Sequence, residues 1–344
     1  MPEVAVETAT RASRAAAVLF SGLIVLVASM PWWAGSGTMR TGVELLYYLA
    51  LAQIWNLMAG YGGLISFGQQ AFIGIGGYTL VLFAYRLGLD PYLSLVIGAV
   101  LAGLFAWPMS KLLFRLRGAY FAVGTWIVAE CWRLVFANWS WLGGGSGISI
   151  TATVRGIDPW WREALAFWLA ALIGLGSIAG VYLLLRSRFG LALMALRDSE
   201  AASESIGISV AQVKTWIYVA AAAAFGLVGG LIFLTKLRIS PDSAVSINWS
   251  VTIVFIVVIG GIGTIEGPIV GVILFFLLRE YLADYGAIYM IAFGLLAIAV
   301  MLTLKGGIWG VVQRRFDVHL FPVQRRVRQA QGASGGGFNV ETST

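Results

Sequence analysis

The chain carries one cysteine, Cys131, and one histidine, His319, in 344 residues. A lone cysteine excludes a disulfide within the chain. One histidine beside it excludes a Cys/His zinc cluster, so no metal centre and no cofactor is expected. His319 lies in a basic C-terminal stretch, which leaves no histidine base inside the apolar body for a serine nucleophile. Neither Gly-x-x-x-x-Gly-Lys-Ser/Thr nor His-Glu-x-x-His occurs. The chain therefore offers no phosphate loop for ATP and no zincin site. Catalytic residues are expected to be absent altogether. Charge is also scarce, 11% of residues where soluble domains hold about a quarter. A water-facing surface of ordinary size is missing.

What is present is hydrophobic, 59% of the chain. A helix that crosses a bilayer needs roughly 20 mostly apolar residues. Windows of that kind fall at 15–35, 42–59, 67–85, 92–113, 119–137, 164–185, 214–234, 249–265, 267–283 and 286–304. The expected fold class is an all-α integral membrane protein with about ten transmembrane helices. One membrane domain, 15–310, follows an N-terminal tail, 1–14, and precedes a basic tail, 311–344. The last residues, 329–344, are rich in Gly, Ser and Thr and are expected to be disordered. Arg11 and Arg14 before the apolar run 15–28 imitate a signal peptide, but the many later spans favour a retained first helix.

The net charge of +7 would suggest nucleic acid in a soluble protein. Here the basic residues stand between apolar runs, as topology signals do. With ten crossings and the N-terminus inside, the cytoplasmic segments hold Arg11, Arg14, Lys111, Arg115, Arg117, Arg186, Arg188, Arg197, Lys214 and the basic residues from Lys305 onward. The outer segments hold the smaller set Arg40, Arg86, Arg133, Arg155, Arg162, Lys236 and Arg238. Both termini are thus expected in the cytoplasm. The outer loop 138–163, with its glycine run and the pair Trp160-Trp161, suits the headgroup zone.

Polar residues inside the apolar windows are the candidates for function. Glu130 lies about ten residues into the fifth window, where a charge costs about 2.5–3.5 kcal/mol on insertion scales and usually faces an interior or a water path. Arg133, three residues on, shares its side of a helix. A structural pair with Arg133 and a place on a translocation path both remain open. Ser66, Gln69, Gln70, Tyr78 and Thr79 lie on a glycine-rich segment. The glycines serve either close packing of helices or a broken helix whose freed backbone faces a cavity. Between spans, the longest polar cytoplasmic segment is 186–213. Within it Asp198 or Ser199 can cap a short helix and Gly207 can end it. Such a helix either docks into a groove on another protein or merely connects two spans.

Several segments together resemble one family. Glu200-Ala201-Ala202 followed by Ile206-Gly207 is similar to the cytoplasmic loop of importer-type ABC permeases, with one more residue before the glycine than is common. Gly60-Tyr61-Gly62-Gly63-Leu64-Ile65-Ser66-Phe67-Gly68-Gln69-Gln70-Ala71-Phe72 resembles the glycine-rich signature of permeases for branched-chain amino acids. Leu116-Arg117-Gly118-Ala119-Tyr120-Phe121-Ala122 resembles a segment of the LivM type, and Gly260–Pro268 resembles the glycine–proline segment near the last helices. The matches run in order over residues 60–310.

The resemblance implies a fold of the ten-helix importer class with two pseudo-symmetric halves, echoed faintly by the glycine-rich stretches 60–77 and 260–271. It implies a bacterial inner membrane, multi-pass placement among lipid, and no enzyme activity of the chain's own. The implied partners are a second permease subunit, forming a heterodimer, two cytoplasmic ATPases and a periplasmic binding protein. Glu200, Ala201, Ala202, Ile206 and Gly207 would form the ATPase-coupling loop, 196–208. Ser66, Gln69, Gln70, Tyr78, Thr125, Trp126 and Glu130 would line the path. Bulky Trp126 stands where many relatives carry a smaller residue, which widens the expected substrates from branched-chain amino acids to related amino acids, amides, urea or organic acids. The competing reading is an ion-coupled secondary transporter without ATPases, which calls for several intramembrane charges.

Overall fold

In hydrocarbon an unsatisfied backbone amide is costly, so a chain this apolar must close its hydrogen bonds within helices. The computed structural model describes residues 4–7, 20–22, 24–282, 288–304, 306–316, 320–321 and 326–329. The tails beyond them, with His319, lie outside the described residues.

The helices run α1 (Phe20–Trp32), α2 (Ser36–Asn56), α3 (Gln69–Leu80), α4 (Pro91–Leu113), α5 (Ala119–Asn138), α6 (Pro159–Leu185), α7 (Arg188–Asp198), α8 (Glu200–Ser205), α9 (Val210–Lys236), α10 (Pro241–Ala244), α11 (Ile247–Gly260), α12 (Glu266–Tyr281), α13 (Ile288–Thr303) and α14 (Gly307–Phe316). Among the described residues four short strands accompany them: β1 (Val4–Glu7), β2 (Ile148–Ser149), β3 (Arg238–Ile239) and β4 (Arg326–Gln329). β1 pairs antiparallel with β4, and β2 with β3.

Among the described residues five segments are long and apolar enough to cross a bilayer: α4, α5, α6, α9 and the run Pro241–Gly260. The pair Ile291–Thr303 and Gly307–Phe316, bent by 41°, is either a broken sixth span or a re-entrant loop. The other expected windows are shorter or interrupted, for local reasons. α2 carries Arg40 and Glu44 near its start and loosens into a π-helical turn over Leu57–Tyr61. The window 67–85 begins in non-helical chain and ends in a second π turn, Val81–Arg86. The window 249–265 stops at Gly260, because Gly261 adopts φ +138°, a backbone that L side chains avoid.

Helix starts follow their sequence signals. Asp90 precedes Pro91, and its carboxylate accepts from the Tyr92 and Leu93 amides, both at 2.9 Å. Asp158 precedes Pro159 and accepts from the Trp160 amide. These caps satisfy donors that the first turn leaves free.

α3 forms the centre: every residue from Gln69 to Leu80 is buried. α9 packs along it and α4 along α9, while α2 lies against α6. The α3–α9 crossing depends on missing side chains. A Cβ on Gly76 would overlap the Gly226 carbonyl, and one on Gly229 would overlap Ile73. Small residues at such a crossing let backbones approach closely, which is how helices associate without water to drive them together. The starts of α2, α4 and α6 and the end of α9 gather at one end of the bundle. The end of α6, α7, α8 and the start of α9 lie at the other.

Candidate functional site

The break before α3 places a buried polar cluster in an apolar body. Residues 62–67 are non-helical, and α3 starts at Gln69. The amide of Phe67 donates to Thr125 Oγ1 at 3.0 Å, and the Trp55 indole donates to the Ser66 carbonyl at 2.9 Å. Ser250 of α11 donates its hydroxyl to Gln70 Oε1. Ser66, Gln69, Gln70, Thr125 and Ser250 are all at most 1% exposed. The Gln69 amide nitrogen and, further along α3, the Tyr78 hydroxyl have no hydrogen-bond partner. A buried donor left unpaired costs about 1–3 kcal/mol. Tyr78 itself stacks on Phe136, with ring centroids 4.1 Å apart. The expected residues Ser66, Gln69, Gln70 and Thr125 are therefore brought together. Ser250 joins them, although a serine two residues into an apolar window carried no sequence signal of its own.

α5 is the least enclosed of the spanning helices. Val123, Trp126, Ile127, Leu134 and Val135 are exposed. Trp126 points away from the buried cluster that holds its neighbour Thr125. On this outward side Glu130 is 47% exposed and meets Arg133 at 2.6 Å. Arg133 also reaches Asp242 of α10 at 2.8 Å. Of the two readings left open for Glu130, the i, i+3 pair with Arg133 is present. Its third member, 109 residues further on, was not legible.

At the other end of the bundle a junction ties the two glycine-rich turns to the polar segment. Asn56 Nδ2 donates to the Thr264 carbonyl at 2.7 Å, and the Gly263 amide donates to Asn56 Oδ1 at 2.8 Å. Gln53 Nε2 donates to the Ile265 carbonyl at 2.6 Å. A Cβ on Gly60 would press into the Gly263 backbone, so this approach requires glycine. Arg197, at the end of α7, donates to the Gly60 carbonyl at 2.9 Å.

α8 follows directly. Ser199 caps it by accepting from the Ala202 amide at 3.2 Å, and Gly207 ends the turn with φ +85°. Ser203 is buried against the bundle. Glu200, Ala201, Ala202, Ile206 and Gly207 are exposed, Ile206 to 73%. Lys214 of α9 holds Glu200 at 2.5 Å. α8 is thus clamped at its base and open on its small-residue face.

The described residues thus form a helical body whose broken central helix starts at a buried polar cluster. The family model described as branched-chain amino acid transport system / permease component matches residues 40–305. The chain belongs to this family. It is 28% identical over 311 residues to the high-affinity branched-chain amino acid transport system permease protein LivM of Escherichia coli K12, covering 83% of this chain and 73% of that protein. It is 25% identical over 284 residues to the probable permease protein LivH of Methanocaldococcus jannaschii, covering 72% and 83%. It is 23% identical over 222 residues to the nucleoside ABC transporter permease protein NupC of Lactococcus lactis, covering 59% and 66%. No solved structure matches. Membership in a family of ABC permeases disfavours the reading as an ion-coupled transporter.

Proposed function

We propose that the chain is one permease subunit of an ATP-driven importer for branched-chain amino acids or a closely related small amino acid. It would pair with a second permease, two cytoplasmic ATPases and a periplasmic binding protein in a bacterial inner membrane. The single observation that carries this reading is α8: a capped, clamped helix with an exposed small-residue face and an exposed isoleucine. An apolar side chain turned to solvent beside two alanines suits a groove on another protein. The α8 face would be cytoplasmic, consistent with Arg186, Arg188, Arg197 and Lys214 around it. Ten crossings would place both termini on that side.

The path would run along the outward face of α5 and the break before α3. A Glu130–Arg133 pair facing lipid would be costly, so a protein or aqueous neighbour suits it better. That neighbour would be the second permease. The N-terminal end of α3, with its free Gln69 donor, would offer polar contacts inside the path, as broken transporter helices do. Motion of α8 would pass through Arg197 to Gly60, and so to the break. Alternating access would follow from that shift.

The test is uptake by the chain reconstituted with its co-purified subunits and binding protein. Vanadate-sensitive, ATP-dependent leucine uptake is expected. Leucine uptake that is driven by an ion gradient and indifferent to ATP would refute the proposal.

A further inference from the structure

Two cavities open at the end of the bundle away from α8. One, of about 340 Å³, lies between the starts of α2, α4 and α6 and the end of α9. The other, of about 330 Å³, lies among α2, α9, α10, α11 and α12. They meet at three shared residues: Glu44, Tyr47 and Lys236.

The chemistry of the second cavity is uneven in a useful way. Glu44 is held by Arg279 at 2.6 Å, and Asp242 by Arg133 at 2.8 Å. Lys236 is the exception. Among the described residues no carboxylate stands within ion-pair distance of it, and its Nζ lies 4.9 Å above the Trp249 ring. Tyr48, Phe275 and Trp249 form one wall, with Tyr48 5.7 Å from Trp249 and 5.4 Å from Phe275. The cavity therefore offers one ammonium that makes no direct ion pair, although Glu44 lies close enough to act on it, an aromatic wall, and two carboxylates that already bear a cation each.

We infer that this cavity is an outer receiving site for a small amphiphilic carboxylate, with Lys236 as the group that takes the carboxylate. Resting on the proposed importer function, the ligand is the amino acid handed over by a binding protein. Its α-carboxylate pairs with Lys236, and its apolar side chain lies on the aromatic wall. A charge-assisted bond of this kind is stronger than a neutral one and selects for the carboxylate. Lys236 ends α9, the helix that packs on α3, so an occupied site touches the same helix that carries the buried crossing.

The experiment is amine footprinting of the chain in its native membrane assembly, read by mass spectrometry. Acetylation of Lys236 is followed with no addition, with leucine, with 4-methylpentanoate and with leucinamide. Leucine and 4-methylpentanoate are expected to slow labelling of Lys236 several-fold. Leucinamide, which lacks the carboxylate, leaves it unchanged, and labelling of Lys111 serves as the internal reference. Equal labelling of Lys236 under all four conditions overturns the inference. Uptake separates this result from failure of the functional reading. Lys236→Gln is expected to raise the half-saturating leucine concentration about tenfold or more, while Lys236→Arg restores it. Wild-type uptake of leucine with an unchanged Lys236→Gln variant refutes the site and leaves the importer standing. A wild-type complex that takes up no leucine refutes the substrate reading, and the receiving site falls with it.

Discussion

Glu130 shows how far single residues carry the account. Its i, i+3 spacing to Arg133 was enough to anticipate the pair. The spacing did not show that the pair stands on an exposed apolar face, because exposure is a property of the packed helix. Removing the charge tests what the face meets. Glu130→Gln leaves Arg133 with Asp242 and is expected to keep the protein assembled while lowering uptake about tenfold or more. Normal uptake by Glu130→Gln would place the pair outside the path. Ser250 gives the opposite lesson. Nothing in its sequence setting marks it, yet it closes the hydrogen bond of Gln70. Ser250→Ala leaves Gln70 Oε1 without its donor and is expected to cost about 1–3 kcal/mol of stability, whereas Gln70→Leu costs less, because Ser250 can still donate to the Phe67 carbonyl at 3.4 Å or to Gln69 Oε1 at 3.5 Å. Thermal unfolding in detergent checks the order, and a reversed order would contradict the buried cluster.

Elements were legible where local chemistry decides them. Ser199 and Gly207 bracket α8 as their side chain and backbone freedom suggest, whereas the window 164–185 began five residues late, because the cap that Asp158 sets before Pro159 is not a hydropathy signal. The interruptions were only partly legible. Glycine richness in 60–77 and 260–271 left close packing and a broken helix both open, and hydropathy alone cannot say that a helix loosens into a π turn at Leu57–Tyr61 or stops at Gly260. Those depend on Asn56 meeting Thr264 and Gly263 across 207–208 residues. The same junction makes Arg197 the link between α8 and the break before α3. Arg197→Gln is expected to leave ATPase binding intact while lowering transport per ATP hydrolysed several-fold. Loss of ATPase binding in that variant would make Arg197 a part of the docking surface instead. Ile206→Asp should do the reverse, weakening ATPase association without altering the fold, since Ile206 is exposed.

At the scale of the whole molecule, the composition of 59% hydrophobic and 11% charged residues placed the chain in a membrane before any motif was read. Membership of the permease family and the ordered helices agree with that placement. The single chain leaves its most informative surfaces open: the exposed apolar face of α5 and the small-residue face of α8. Under the proposed function, one would meet a partner in the bilayer and the other a partner in water. A subunit of a larger assembly explains both at once.

To test the proposed assembly, the chain is tagged, extracted gently from its native membrane, and its companions are identified by mass spectrometry. The account predicts one or two ATPase subunits and a second hydrophobic permease, with the ATPases lost when Ile206→Asp is introduced. Recovery of the chain alone, or only with copies of itself, even after cross-linking in the membrane, would contradict it.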